Sequence, residues 1–206
     1  MSSRLHTFTG IGFDPLSPDP ADVRLDDIAQ ALSNTCRFGG HTPRFYSVAQ
    51  HAVLVAAQVL ERIDRPDWAL LALHHDSAEA YIGDWPRPVK AGVVFYRPVH
   101  QPDSADNPQG YLKTPIAAAE TKIHEAILTG LGILDDVAAH DIIRKADDGM
   151  LVSELRGLFH QVPDRFTGRN WIECPPIAPH QCQAPHEAKE AFLSLHAGLL
   201  RMMGAA

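Results

Sequence analysis

The chain has 206 residues, of which 45% are hydrophobic and 21% charged, and carries a formal net charge of −7. That length suits a single domain built on one core, and the composition excludes a disordered or fibrous chain. The negative balance excludes a general binder of nucleic-acid polymers, which depends on clustered Lys and Arg, but leaves room for a small anion held at a local site.

The opening stretch "GIGFDPLSPDPADVRLDD" is crowded with Gly, Pro and Asp and predicts an irregular N-terminal arm laid on the domain. Gly10–Ile11–Gly12 lacks the third glycine and the preceding strand of a dinucleotide fingerprint and reads as a turn. Asp26 or Asp27 is the expected cap of a helix running through Ser33. Ser47 is the expected cap of the next, in which Val48, His51, Ala52, Val55, Val59 and Ile63 recur at helical spacing. Pro66 and Asp67 open a third helix expected to run to Ile82, where Gly83 suits the residue after a helix and Pro86 and Pro88 bar its continuation. Residues 93–115, polar and rich in Pro and Asn, predict a long surface loop. Helical periodicity resumes over Ile116 to Leu131, from Asp135 or Asp136 to Phe159, and from His186 to Met203, with the irregular Pro-rich segment 161–185 before the last. No strand alternation or internal repeat stands out, and the predicted class is all-α.

Cys36, Cys174 and Cys182 are too few and too scattered for a disulfide framework, which predicts a reducing, cytoplasmic setting. Residues 1–10 carry no signal-peptide pattern, and no stretch approaches the roughly 18 apolar residues of a membrane span, so no membrane association is expected.

Chemistry concentrates in "HHDSAEAYIGD", from His74 to Asp84, which follows the apolar run "WALLAL". On a helix His75 and Asp76 would both neighbour Glu79. Burying such charge uncompensated costs several kcal/mol, a conflict that a bound cation resolves. Imidazole with carboxylate suits Mn, Fe, Co, Ni or Zn better than Mg or Ca. His51, in the apolar stripe of its helix, is the first candidate for a further ligand. Asp147 is the second: Ile143 lies four residues before it and Leu151 four after, whereas Asp148 aligns with Arg144 and is expected to face solvent.

The order His51, His75–Asp76, Asp147 resembles the HD-domain metal-dependent phosphohydrolases. "RFGGHTPRFYSVAQH", "HHDSAEAYIGDWPRPVK" and "RKADD" look most like the small bacterial 5′-deoxynucleotidases, over roughly residues 28–155. The resemblance implies a single HD-type helical bundle over residues 1–206, a homodimer, and one divalent transition metal held by His51, His75, Asp76 and Asp147. It implies that Glu79 positions or deprotonates the attacking water with support from Asp84, and that Arg37 orients the phosphate. Phe38, Asp84, Trp85, Pro86, Arg87 and Lys90 match substrate-contacting positions. The implied reaction is hydrolysis of a deoxynucleoside 5′-monophosphate to nucleoside and phosphate. Release of triphosphate or pyrophosphate from a deoxynucleoside triphosphate is the alternative, and a non-catalytic metal- and nucleotide-binding regulatory module is the rival of another class.

His74 is assigned to packing or hydrogen bonding rather than to a metal. Arg44 competes with Arg37 for the phosphate role. Cys174, His180, Cys182 and His186 do not have the spacing of a zinc finger and read as part of a proline-stiffened loop.

Overall fold

The computed structural model describes residues 4–98, 111–159 and 171–204. The fold is mainly helical and centres on α2 (Val48–Ile63), which packs against α1 (Leu25–Asn34), α3 (Pro66–Leu73), α7 (Val137–Leu158) and α8 (Pro185–Met202). Two short helices, α4 (Glu79–Ile82) and α5 (Arg87–Lys90), follow α3, and α6 (Ile116–Leu131) precedes α7. Ser47 caps α2 as expected, its Oγ accepting from the Gln50 N–H at 3.1 Å, and the helix buries Val48, Ala49, His51, Ala52, Val55, Ala56 and Val59 in the core. Asp136 caps α7 by accepting from the Ala138 N–H at 2.9 Å. No helix among the described residues is long and apolar enough to cross a membrane.

The expected third helix does not run unbroken to Ile82. α3 ends at Leu73, and the chain passes through a turn to α4. Here the backbone bonds tighten to three-residue spacing: Ser77 donates to His74 O at 3.1 Å, Glu79 to Asp76 O at 3.0 Å and Tyr81 to Ala78 O at 3.1 Å. The Ser77 hydroxyl lies 2.9 Å from His74 Nδ1, a local side-chain bond that favours the turn over a continuous α-helix. Gly83 closes α4 at φ 80°, ψ 160°, a region open only to glycine.

Asp26 and Asp27 lie in the first turn of α1 rather than capping it, since the helix already begins at Leu25. Asp27 instead accepts from the Thr9 N–H at 2.6 Å and the Thr9 hydroxyl at 2.9 Å, tying the N-terminal arm to the bundle. That arm is largely irregular apart from a minimal antiparallel pairing of β1 (Leu5–His6) with β2 (Gly12–Phe13). Phe13 is fully buried and stacks on Tyr81 with ring centroids 3.7 Å apart.

The predicted loop 93–115 is also corrected. β3 (Val94–Pro98) pairs antiparallel with β4 (Tyr111–Pro115), in register from Val94↔Pro115 to Pro98↔Tyr111, and the residues between them lie outside the described set. Val94, Phe95 and Tyr96 favour extended backbone. Phe95 and Arg97 alternate with the more exposed Val94 and Tyr96, and Arg97 pairs with Asp14 of the arm.

Of the predicted irregular segment 161–185, the described part before α8 is irregular as expected, apart from a single 3₁₀ turn at Pro179–Gln181. Its stretch 172–177 lies along α7 on a groove made by Gly149, Ser153 and Gly157. Ile172 N–H donates to Lys145 O at 3.0 Å, and the Ser153 hydroxyl donates to Pro175 O. A Cβ on Gly149 would stand 1.9 Å from the Ile172 carbonyl oxygen, and one on Gly157 the same distance from that of Ile177. Gly149→Ala should therefore destabilise the protein by about 1–3 kcal/mol, the cost of overpacking. Thermal unfolding checks this, and an unchanged midpoint would mean that the strap gives way freely.

Candidate metal centre and adjoining cavity

His51, one turn into α2, is fully buried. Its Nδ1 lies 2.6 Å from Glu154 Oε1, and because an ionised carboxylate only accepts, the imidazole proton belongs on Nδ1 and the Nε2 lone pair is left free. His75 is fixed in the same way by donation from Nδ1 to Ala72 O at 2.7 Å. Both Nε2 atoms are buried and have no hydrogen-bond partner among the described residues.

These two nitrogens meet carboxylates. Asp147 Oδ1 lies 3.1 Å from His51 Nε2 and 3.9 Å from His75 Nε2. Asp76 Oδ2 lies 3.2 Å from His75 Nε2 and 3.8 Å from His51 Nε2. One ligating atom from each of His51, His75 and Asp147 falls within 4.8 Å of the others, so this group could hold a metal ion. Lone pairs and carboxylate oxygens this close repel unless a proton or a cation lies among them. Fixing the far side of each ring and leaving Nε2 unpartnered is the arrangement by which proteins orient imidazole ligands. The site thus fits a divalent ion.

The protons that can stand in for a cation set a pH dependence. Burial and the Arg37 guanidinium oppose protonation of His51, but Glu154 and Asp147 outweigh them and hold its pKa above the ordinary value. For His75, burial is outweighed by Asp76 and Asp147, and the shift is larger. Ligation needs both rings neutral, so metal uptake must expel whatever protons they hold. Affinity should fall as pH drops through the raised range, by about tenfold per pH unit for each proton released. Co²⁺ titrations at pH values between about 6 and 8 test this, and a flat profile would exclude the imidazoles as ligands.

Asp147 and Asp148 reverse their expected environments. Asp148 is 9% exposed, with Arg87 3.8 Å and Arg144 3.5 Å from its carboxylate. The Asp147 side chain retains 24% exposure because it faces a cavity rather than packed core. Helical spacing placed Asp147 on the inward side of α7 but could not reveal that this side is concave.

The cavity has a volume of about 440 Å³, and Asp76, Glu79 and Asp147 share its wall with Arg37, Phe38, Asp84, Trp85, Pro86, Arg87 and Lys90. Every substrate-contacting position carried over from the resemblance therefore lines one space. Arg37 is delivered by a loop whose ends are closed on each other: its N–H donates to Tyr46 O at 2.9 Å and Val48 N–H to Thr35 O at 3.0 Å. Its Nη1 stands 3.6 Å from Asp76 Oδ2, and its Nε is buried with no partner among the described residues. Phe38 takes φ 57°, a strained left-handed conformation for a bulky residue, and rests edge-on against Phe159 at 5.0 Å. Trp85 donates from Nε1 to Ile82 O at 2.7 Å, which fixes an indole that remains 38% exposed. Lys90 is ion-paired with Glu120, and Arg44 is exposed and does not line the cavity.

Glu79 is buried, and its Oε2 has no hydrogen-bond partner among the described residues. Burial first, then Asp76 and Asp84, push its carboxyl up to about 9. It takes up a proton more readily than a solvated glutamate. Burial also raises Asp84, with Arg37 opposing.

The sequence reading missed Glu154. Fully buried, it accepts from His51 Nδ1, from the Tyr46 hydroxyl at 2.9 Å and from Arg37 Nη2 at 3.2 Å. Burial would raise its pKa, but Arg37 and His51 outweigh that and keep it lowered. The signal was present, since Glu154 stands two helical turns after Asp147 within an otherwise apolar stripe.

No family model matches the chain. It is 38% identical over 128 residues to "Uncharacterized protein YfdR" of Escherichia coli, an alignment covering 61% of this chain and 68% of that one. It is also 38% identical over 90 residues to an uncharacterized protein of Rhodobacter capsulatus, covering 41% of this chain and 45% of the relative. With more than two thirds of the E. coli protein matched, the chain belongs to the same family as YfdR.

Proposed function

We propose that this chain is an HD-type, metal-dependent phosphohydrolase that hydrolyses deoxynucleoside 5′-monophosphates to nucleoside and phosphate. The observation that carries the reading is the convergence of His51 Nε2, His75 Nε2 and Asp147 Oδ1, of which Asp147 also lines, with Asp76, a cavity that presents Glu79 and Arg37. His51, His75, Asp76 and Asp147 would hold the ion. When bound, a divalent cation supplies Lewis-acid polarisation of a phosphoryl oxygen and acidification of water.

The chain's own groups complete the chemistry. Glu79 accepts the proton of the attacking water; the burial, Asp76 and Asp84 that raise its carboxyl would be offset by a cation held at Asp76 and Asp147, which favours the carboxylate form that can take the proton. Arg37, held by Glu154, offers a planar fork of donors to the charge that builds on the phosphoryl oxygens. Phe38 and Trp85 give the cavity aromatic surface for a flat ring, and Asp84 lies beside Glu79.

Engagement of Lys90 by Glu120, and the proximity of Arg87 to Asp147 and Asp148, favour a monophosphate over a triphosphate, because fewer cationic groups are left for additional phosphates. A non-catalytic module does not account for a buried Glu79 whose Oε2 has no partner among the described residues, in the same cavity. The test is phosphate release from a panel of nucleoside mono- and triphosphates with Mn²⁺, Co²⁺, Fe²⁺, Ni²⁺ and Zn²⁺ in turn. Orthophosphate from deoxynucleoside monophosphates is expected. Triphosphate or pyrophosphate release would move the assignment to the triphosphates, and no turnover anywhere would end it.

A further inference from the structure

The turn from His74 to Ser77 carries His75 and Asp76 at its tip, and its two ends are joined by more than backbone. Ser77 N–H donates to His74 O at 3.1 Å, and the Ser77 hydroxyl lies 2.9 Å from His74 Nδ1. The other ring nitrogen of His74, Nε2, lies 2.9 Å from Nδ1 of His196, far along the chain on α8. His74 is fully buried and His196 is 6% exposed. The His74 ring stands edge-on to Phe192 at 5.3 Å and to His196 at 5.1 Å.

A neutral imidazole has one donor and one acceptor, and Ser77 and His196 take one each. The ring therefore has one orientation and cannot flip without breaking both bonds. α8 packs against α1, α2 and α3, so His196 fixes His74 to the body of the bundle, and His74 fixes the turn on which the two candidate ligands stand. Nothing else in the site requires this buried pair of histidines, neither of which points at the metal group or lines its cavity.

We propose that His196 is a positioning residue for the metal ligands His75 and Asp76, acting through His74 and Ser77. The inference rests on the metal-centre reading above, so its test measures Co²⁺ affinity rather than hydrolysis. His196→Leu keeps bulk but removes the bond, Ser77→Ala breaks the other end of the relay without touching α8, and His196→Asn restores a polar atom at the position of Nδ1. His196→Leu and Ser77→Ala should each weaken Co²⁺ binding by about 10- to 100-fold, the usual effect of removing a partner that orients a ligand. Their combination should be little worse than the stronger single change, because one relay is being broken twice. His196→Asn should stay within about threefold of wild type, a margin inside the scatter of such couplings.

A wild type that takes up no Co²⁺ overturns the metal reading and this inference together. Wild-type binding that survives both His196→Leu and Ser77→Ala overturns this inference alone, as does His196→Asn binding as weakly as His196→Leu. If His196→Leu fails to fold, Ser77→Ala and His196→Asn decide by the same criteria.

Discussion

Glu79→Gln is expected to take up a divalent ion as the wild type does and to hydrolyse nucleotides about 10²- to 10⁴-fold more slowly, the range that a positioned proton acceptor contributes. The amide preserves the shape of a side chain that is 7% exposed but cannot accept the proton of the attacking water. The expected split between binding and turnover sets Glu79 apart from Asp147. Asp147 Oδ1 stands 3.1 Å from His51 Nε2, and Asp147→Ala should lose metal and activity together. Phosphate-release kinetics beside Co²⁺ titration make the distinction. An undiminished rate in Glu79→Gln would remove the residue from the chemistry and leave the cavity as a binding site only.

Glu154→Ala should produce the largest loss of stability. The change strands a buried guanidinium, a buried phenol and the Nδ1–H of His51, all of which share one carboxylate. Removing one partner of a buried ion pair costs about 3–5 kcal/mol. For a chain of this size each kcal/mol lowers the unfolding midpoint by about 2–4 °C. His51 also loses the bond that fixes its tautomer, so metal affinity should fall by about 10- to 100-fold in whatever protein remains folded. Thermal unfolding of metal-free protein gives the first quantity and Co²⁺ titration the second. Glu154→Gln, which keeps an acceptor but not the charge, should lie between Glu154→Ala and wild type in both. A midpoint unchanged in Glu154→Ala would show that Arg37 and Tyr46 find other partners.

Much of this architecture was legible in the residues. Ser47 announced α2, and the apolar spacing of Val48, Ala52, Val55 and Val59 put His51 on the buried side, where the structure has it. The break after Leu73 was not legible, because "WALLAL" continues a helical pattern and the competing bond from Ser77 to His74 depends on His74 turning inward toward α8. The β3–β4 ribbon was hidden by the polar stretch between its strands, which drew the reading toward a loop although Val94, Phe95 and Tyr96 favour strand. The reversal of Asp147 and Asp148 shows the limit of periodicity: it orders residues around a helix axis but does not distinguish a packed neighbour from a hollow one. Glu154 escaped for a related reason. One acid in an apolar stripe looks like an interruption until tertiary contacts bring Arg37 and Tyr46 to it.

The closed ends of the segment between Thr35 and Val48 have an evolutionary consequence. Arg37 is fixed by the paired ends, whereas His41, Pro43, Arg44 and Phe45 at the tip are exposed. Doubling the length of such a tip adds only about 0.6 kcal/mol of closure entropy. Insertions and deletions there can therefore accumulate at little cost while Arg37 at the base stays in place.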